Sequence, residues 1–401
     1  MDNWIWDIIK WILSFIGHLG LWFVVYDNIH ATAWPRQHRK TTEKVTFLII
    51  SLPAIWVLTV LIGRHTISFD LIHEVSPAAY FYGVACIGLG CVFVCRWVWR
   101  ISRSRLPASV TSRTSRMVNL QSELGKPIVH GRLARLLGYV PGNQATKLLV
   151  ESSTIAVPGC PVELDGLRIC QLSDLHFTGH LAPEYFLEVV RHANEFEPDL
   201  VLITGDIIDH PECLSWLERI LTKLTATYGV YYVLGNHDRR ISDEALLRTT
   251  LAGCQAIAAG GRWHELEING ARLLLAGNEL PWYKGAESLP ERSGVTDSKS
   301  PVLKILMSHS PDQVGWAKRH RFDLMFAGHT HGGQIRVPIV GPLVAPSRFG
   351  VKYCSGTFQI GPMLMHVSRG LSGEDMIRIN CPPELGLFTI RSTDREITAS
   401  P

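Results

Sequence analysis

Six short apolar runs in the second half of this chain each stop at a turn-forming or metal-binding type of residue, and this pattern limits the fold more than any other feature. They are LRICQL (167–172), DLVLITG (199–205), GVYYVLG (229–235), ARLLLAG (271–277), VLKILMSH (302–309) and DLMFAGH (323–329). Aliphatic runs of this length bounded by Gly, Asp and His read as buried strands, being too short for helices. Amphipathic pieces around 182–194 and 212–226 separate the first three. Strand-helix alternation followed by a strand-rich half predicts a layered α/β domain. The chain shows no internal repeat and no low-complexity tract.

The first hundred residues have another texture. Trp4–Tyr26, Val45–Gly63 and Ala78–Val94 are apolar stretches, each near the roughly 20 residues that cross a bilayer as helix. Together with an overall hydrophobic content of 46%, they predict three membrane helices. A cleaved signal peptide is the rival for the first stretch, because Ala31-Thr32-Ala33 resembles a cleavage site; the missing basic start and the long apolar part count against it. Arg36, Arg39, Lys40 and Lys44 follow the first stretch, Arg64 alone follows the second, and Arg96, Arg100, Arg103, Arg105, Arg113 and Arg116 follow the third. The positive-inside rule then puts the N-terminus outside and everything after residue 95 in the cytoplasm, an inner-membrane, multi-pass arrangement. Residues 101–149, with RSRLPASVTSRTSR near their start, are expected to be an exposed basic linker and adaptor between an anchor (1–100) and a globular domain (150–395). A net charge of +3 is small, so no acidic partner follows from it and no nucleic-acid partner is expected. Nine cysteines without a CxxC pair argue against a disulfide framework or a thiolate zinc site.

The polar residues gather where the strands end. LSDLH brings Asp174 and His176, GDIID brings Asp206 and Asp209, GNHD brings Asn236, His237 and Asp238, and later runs end at His309 and in GHTHGGQ with His329 and His331. In open α/β sheets this edge is where ligands bind. Carboxylate, amide and imidazole donors without cysteine suit manganese, zinc or iron. Asp174, His176, Asp206, Asn236, His309, His329 and His331 exceed the needs of one tetrahedral ion and suit two divalent ions bridged by a carboxylate. Taken singly, D-x-H or GD after a strand is an ordinary turn. On residues alone, the histidines of GHTHGGQ remain open among ligands, an acid/base pair and a polar turn.

In this order the blocks D-x-H, G-D-x-x-D, G-N-H-D, a solitary His and G-H-x-H resemble the calcineurin-like metallophosphoesterase superfamily over roughly residues 150–392. The resemblance implies a four-layer α/β/β/α sandwich of two mixed sheets, here preceded by a helical transmembrane region. Carried over by position, Asp174, His176 and His331 would hold one metal, Asn236, His309 and His329 the other, and Asp206 would bridge them. His237 would be the general acid that faces the phosphate, and Asp209 the carboxylate that orients it. The two ions would neutralise phosphate charge and lower the pKa of a water between them. The closing run SRGLSGEDMIRINCPPELGLFTI and the lead-in GLRICQLSDLH are similar to the bacterial membrane-associated YkuE-like branch, whereas Ser/Thr protein phosphatases carry GDxVDRG and GNHE. The activity implied is hydrolysis of a phosphodiester or pyrophosphate of a small or lipid-linked substrate at the membrane. Alternatives are the UDP-2,3-diacylglucosamine pyrophosphatase reaction, for which GNHD in place of GNRD leaves the chlamydial-type branch as the pattern, and phosphomonoester hydrolysis. A non-catalytic metal-binding membrane module would need neither the full ligand set nor His237. Arg239, Arg240 and Arg369 are candidates for a second phosphate or are solvated; Trp282 and Tyr283 line a groove or close a loop.

Overall fold

The computed structural model describes residues 3–62, 76–102, 106–286 and 301–393. The chain divides into two compact units, Met1–Arg105 and Leu106–Pro401.

The first unit contains α1 (Asn3–His30), α2 (Arg36–Ile62) and α3 (Pro77–Ser102). Ile5–His30 and Pro77–Ser102 are long and apolar enough to cross a membrane, with mean hydropathy 1.8 and 2.0. Their apolar side chains, Phe15, Phe81 and Val92 among them, are exposed rather than packed into a core. The second expected span runs into α2, but its side chains from residue 54, and all of residue 63, lie outside the described residues. α1 and α3 approach to backbone contact: a Cβ on Gly17 would collide with the Cys86 backbone, and one on Gly90 with the Leu13 backbone. Small residues at a helix crossing are how helices pack where lipid supplies no hydrophobic drive.

The second unit holds two sheets. The seven-stranded one runs β1 (Val110–Asn119), β2 (Lys147–Pro158), β15 (Glu384–Thr393), β3 (Arg168–Leu172), β4 (Leu200–Thr204), β5 (Val230–Val233), β6 (Ala256–Ala258). The six-stranded one runs β13 (Gly356–Ile360), β14 (Met363–Val367), β10 (Leu324–Ala327), β9 (Val302–Ser308), β8 (Ala271–Asn278), β7 (Trp263–Ile268). Both are mixed: β3 to β6 are parallel and β15 antiparallel to β3, while β8, β9, β10 and β14 are parallel between antiparallel edges. A short two-stranded ribbon, β11 (Arg336–Val337) with β12 (Gly341–Pro342), stands apart. All six runs singled out in the sequence are strands, each within a few residues of the bounds expected.

Alternation along the strands produces three cores, hence four layers. Ile169, Leu200, Leu202, Tyr231 and Val233 face Leu273, Leu275, Ile305, Met307 and Phe326 between the sheets. Their neighbours Cys170, Leu172, Val201, Ile203 and Tyr232 face helices α6 (Pro183–Glu195), α7 (Leu214–Leu221) and α8 (Glu244–Gly253). On the far side, Leu306, Met325 and Met365 pack on α9 (Val314–Arg319) through Val314 and Ala317. Fully buried parallel strands need this cover on both faces.

The stretch expected to be a linker departs from that reading. Val110–Asn119 is an edge strand, antiparallel to β2 in the register Arg113↔Ser153 and Arg116↔Val150. After it come the short helices α4 (Leu120–Leu124) and α5 (Arg132–Gly138), and Leu120, Ile128 and Ala134 enter the helix-side core. The compact unit therefore starts at Leu106 rather than 150. In β1 only Val118 is buried, so side-chain alternation gives no signal and backbone pairing defines the strand. Arginine and hydroxyl side chains on such an edge also discourage further strand addition.

Candidate metal centre

The site forms where β3, β4, β5, β9 and β10 end, and the backbone there is bent sharply. Asp174, His176, Asp206, His329 and His331 all have positive φ, between 45° and 71°. Non-glycine residues in this region are uncommon and concentrate at functional sites. Gly205, at φ 89°, makes the turn into Asp206; a Cβ there would lie 2.5 Å from His309 Nδ1. The turn and the close approach of the β9 histidine both require glycine.

Two donor clusters share Asp206. In one, Asp174, His176, Asp206 and His331 bring one donor atom each to within 4.8 Å of one another; in the other, Asp206, His309 and His329 do the same. His176 Nε2 is 3.1 Å from His331 Nε2 and 3.6 Å from Asp206 Oδ2. Across Asp206, His309 Nε2 is 3.2 Å from its Oδ2, 3.2 Å from Asn236 Oδ1 and 3.1 Å from His329 Nδ1. Second-layer bonds fix the tautomers. His309 Nδ1 donates to the Thr204 carbonyl at 2.8 Å, His331 Nδ1 to the Ser372 carbonyl at 3.1 Å, and His176 Nδ1 faces Asp209 at 2.7 Å. With hydrogen on Nδ1, the Nε2 lone pairs of His176 and His331 face each other and Asp206 and Asp174, while that of His309 faces Asp206, Asn236 Oδ1 and His329 Nδ1. Such an all-acceptor cluster is repulsive unless cations occupy its centre, so the donor set fits two divalent ions.

The electrostatics agree. Burial disfavours charge on His176 and His309, yet Asp209 for the first and Asp206 for the second outweigh it, and both imidazoles are pushed up to about 9. Asp206, although buried, is held well below the usual carboxylate range by His309 and His237. His331 is driven well down by burial and then by His176. Two positions thus attract positive charge.

His237 and Asp209 stand beside the clusters. Asp209 Oδ1 accepts from His237 Nδ1 at 2.5 Å and from Arg240 at 2.5 Å, while its Oδ2 faces His176. Buried but so partnered, its carboxyl lies far below the ordinary value, with His176 the chief cause opposing burial. The His237 backbone N–H donates to Asp206 Oδ1 at 2.7 Å, and its side chain is 14% exposed. All nine residues singled out from the sequence therefore meet at one rim.

Other candidates are spoken for. Arg240 bridges Asp209 and Glu374, and Arg369 pairs with Glu384 at 3.0 Å, so neither is a free phosphate ligand. Trp282 packs at the site, its ring 4.7 Å from that of His329. Gly332 and Gly333, both at positive φ, meet Cys381 Sγ and Pro342 Cβ, 2.6 and 2.5 Å from where a Cβ would stand.

Two residues take roles at the site that the sequence did not assign. Arg378, fully buried, donates to the carbonyls of His331 and Arg369, at 3.2 and 2.6 Å, and to that of Ser372. It ties the GHTHGGQ turn to the closing segment. Asp238 accepts from the backbone N–H groups of Ile207, Ile208 and Gly235 at 2.7–3.0 Å, clamping the β4 and β5 turns together. Burial and then Asp206 push its carboxyl up to about 7. Its place in GNHD was a signal available in the sequence; nothing there marks Arg378.

A double-sheet α/β/β/α domain with two Asp206-linked donor clusters at its strand ends defines a metallophosphoesterase class of protein. The family described as "Calcineurin-like phosphoesterase" matches residues 167–333. The chain is 32% identical over 266 residues to the "Uncharacterized metallophosphoesterase YkuE" of Bacillus subtilis, covering 63% of this chain and 86% of that one. It belongs to the calcineurin-like phosphoesterase family. It is also 28% identical to the "Phosphodiesterase YaeI" of Escherichia coli (56% of this chain, 82% of that one). To the "UDP-2,3-diacylglucosamine pyrophosphatase LpxG" of Chlamydia trachomatis it is 26% identical (56% and 84%).

Proposed function

We propose that this protein is a membrane-anchored, dinuclear-metal phosphoesterase that hydrolyses a phosphodiester or pyrophosphate bond, with its catalytic unit in the cytoplasm. The observation that carries this reading is the carboxylate of Asp206 shared by two imidazole clusters, with His237 on the open side. Asp174, His176 and His331 would hold one cation and Asn236, His309 and His329 the other, with Asp206 common to both donor sets. When bound, the two cations supply charge neutralisation at the phosphate and acidify water for attack. The protein supplies the rest. Asp209 accepts from His237 Nδ1 and thereby turns Nε2 to the open side, where it gives a proton to the leaving oxygen. Arg240 braces Asp209 from behind.

The diester preference is supported by the likeness to a phosphodiesterase, and the pyrophosphate of a lipid-linked substrate by the likeness to LpxG together with the two apolar helices. The test separates binding from chemistry. Asp206→Asn is expected to lose metal by elemental analysis and to lose turnover of bis-p-nitrophenyl phosphate. His237→Ala is expected to keep its metal and to lose roughly 10²–10⁴-fold in rate. Unchanged rates in both variants would sink the assignment. A panel of UDP-diacylglucosamine, simple diesters and phospholipids, assayed with manganese and with zinc, then identifies the substrate by its product.

A further inference from the structure

We infer that Arg240 recognises the leaving group of the substrate, and that Glu374 is an internal anion holding the place on its guanidinium that a second phosphate takes. The inference deepens the phosphoesterase reading above and rests on it. Arg240 Nη1 donates to Asp209 Oδ1 at 2.5 Å, the same oxygen that accepts from His237 Nδ1. The guanidinium is thus one carboxylate oxygen away from the imidazole that protonates the leaving oxygen. In a simple diester that oxygen carries a carbon; in a pyrophosphate it carries a second phosphorus. A cation just beyond His237 is placed to read this difference.

The two ends of Arg240 are held unequally. Asp209, on the Nη1 side, has a fully buried side chain, whereas Glu374, which accepts from Nη2 at 2.9 Å, is 52% exposed. Parting Arg240 from Asp209 would strand a buried charge. The Glu374 pair is screened by water and weakly held, so Nη2 is the end where one anion can replace another. Phosphate oxygens suit the exchange, because they accept charge-assisted hydrogen bonds in the fork geometry a guanidinium offers.

The exchange needs a side chain to move and not the backbone. The loop that carries Glu374 is pinned on both sides of it. The Ser372 N–H donates to the Asp174 carbonyl at 2.9 Å, and the Ser372 carbonyl accepts from His331 Nδ1 at 3.1 Å. Gln334 Nε2 donates to the Asp375 carbonyl at 3.0 Å, and His180 Nδ1 stands 3.2 Å from the Glu374 carbonyl. Only the side chains of Glu374 and its neighbour Asp375 are exposed along 371–376. Arg239, exposed in the same short turn as Arg240, adds positive charge once Glu374 has swung away. A pyrophosphate diester therefore gains a partner at Arg240 by displacing one carboxylate, while a diester with a single phosphate leaves the Glu374–Arg240 pair closed. Glu374 sets how strongly the site prefers the first over the second.

The test measures binding by titration calorimetry on the full-length, manganese-loaded protein in detergent micelles, with metal content checked for every sample. Two ligands that resist hydrolysis are compared: the methylene-bridged analogue of a uridine diphosphate sugar, with two phosphorus centres, and the uridine ester of methylphosphonic acid, with one. In Glu374→Gln the preference for the first over the second is expected to rise roughly fivefold, the size of an exposed ion pair removed from competition. Asp375→Asn, which removes an equal charge beside it, is expected to leave that preference within roughly twofold of the parent. Made in an Arg240→Gln background, Glu374→Gln is expected to give no rise. An unchanged preference in Glu374→Gln, an equal rise in Asp375→Asn, a rise that survives without Arg240, or no binding of the two-phosphorus ligand to parent and Glu374→Gln alike would each overturn the inference. Turnover of bis-p-nitrophenyl phosphate by the parent reads the catalytic assignment separately. An active parent without the expected binding pattern loses the leaving-group site alone, and an inactive one that shows the pattern keeps the anion site and loses the phosphoesterase reading.

Discussion

At Gly205 a missing side chain decides whether the centre can form. The residue sits at φ 89° between β4 and Asp206, with His309 Nδ1 2.5 Å from where a Cβ would be. Alanine there would strain the backbone and displace the β9 histidine, whose Nε2 is held 3.2 Å from Asp206. We expect Gly205→Ala to lower thermal stability by roughly 1–3 kcal/mol and to weaken metal binding at the His309 side. Metal content per chain, measured beside the thermal midpoint, checks this; full loading with an unshifted midpoint would contradict it. The nine site residues were legible in the sequence because strand ends, turn residues and metal donors coincide there. Arg378 was not, since a fully buried arginine facing three backbone carbonyls is defined only by chain segments distant in sequence.

Among the elements, the strands with apolar runs were legible and the polar ones were not. β1 has one buried residue in its length, and its partner β2 alternates from Leu149 onward but begins at Lys147, before the texture of the sequence changes. β15 joins these two to the rest of the seven-stranded sheet, parallel to β2 and antiparallel to β3. At its start Glu384 is buried between sheets, 3.0 Å from His366 of β14 and 3.0 Å from Arg369. Burial opposes its charge, but His366 and Arg369 win, and its carboxyl is pushed down to about 2. Because the folded value lies below the ordinary 4.5, this contribution is fully present above about pH 4.5 and is lost as pH falls toward 2. Glu384→Gln leaves Arg369 with a neutral partner and is expected to cost about 3 kcal/mol at pH 7. The gap between variant and parent should close on acidification through that window. Thermal midpoints at pH 7 and pH 3, taken in detergent solution, read the difference; a gap that widens in acid would refute the role of this pair.

For the molecule as a whole, the decisive physical fact is the exposed apolar surface of α1 and α3. Their 26-residue candidate spans correspond to about 39 Å of helix at 1.5 Å per residue, longer than the roughly 30 Å hydrocarbon core. They can cross with tilt or with ends in the headgroups. The charged side chains of α1 fit such an end: Lys10 and Asp7 form a 3.4 Å pair within its first three turns. The loop charges decide the side. Applied to the arginines that follow α3, the positive-inside rule predicts a cytoplasmic catalytic unit under the proposed anchor, whether or not α1 also crosses. The full chain is therefore expected to stay in the membrane fraction after an alkaline carbonate wash. Protease added to inside-out vesicles should cleave the Leu106–Pro401 unit, and protease added to right-side-out vesicles should spare it. Release by carbonate would remove the anchor, since peripheral attachment does not survive loss of ionic contacts. Cleavage in right-side-out vesicles would instead keep the anchor and reverse the orientation, placing the phosphoester chemistry outside the cytoplasm and excluding substrates made and consumed only within it.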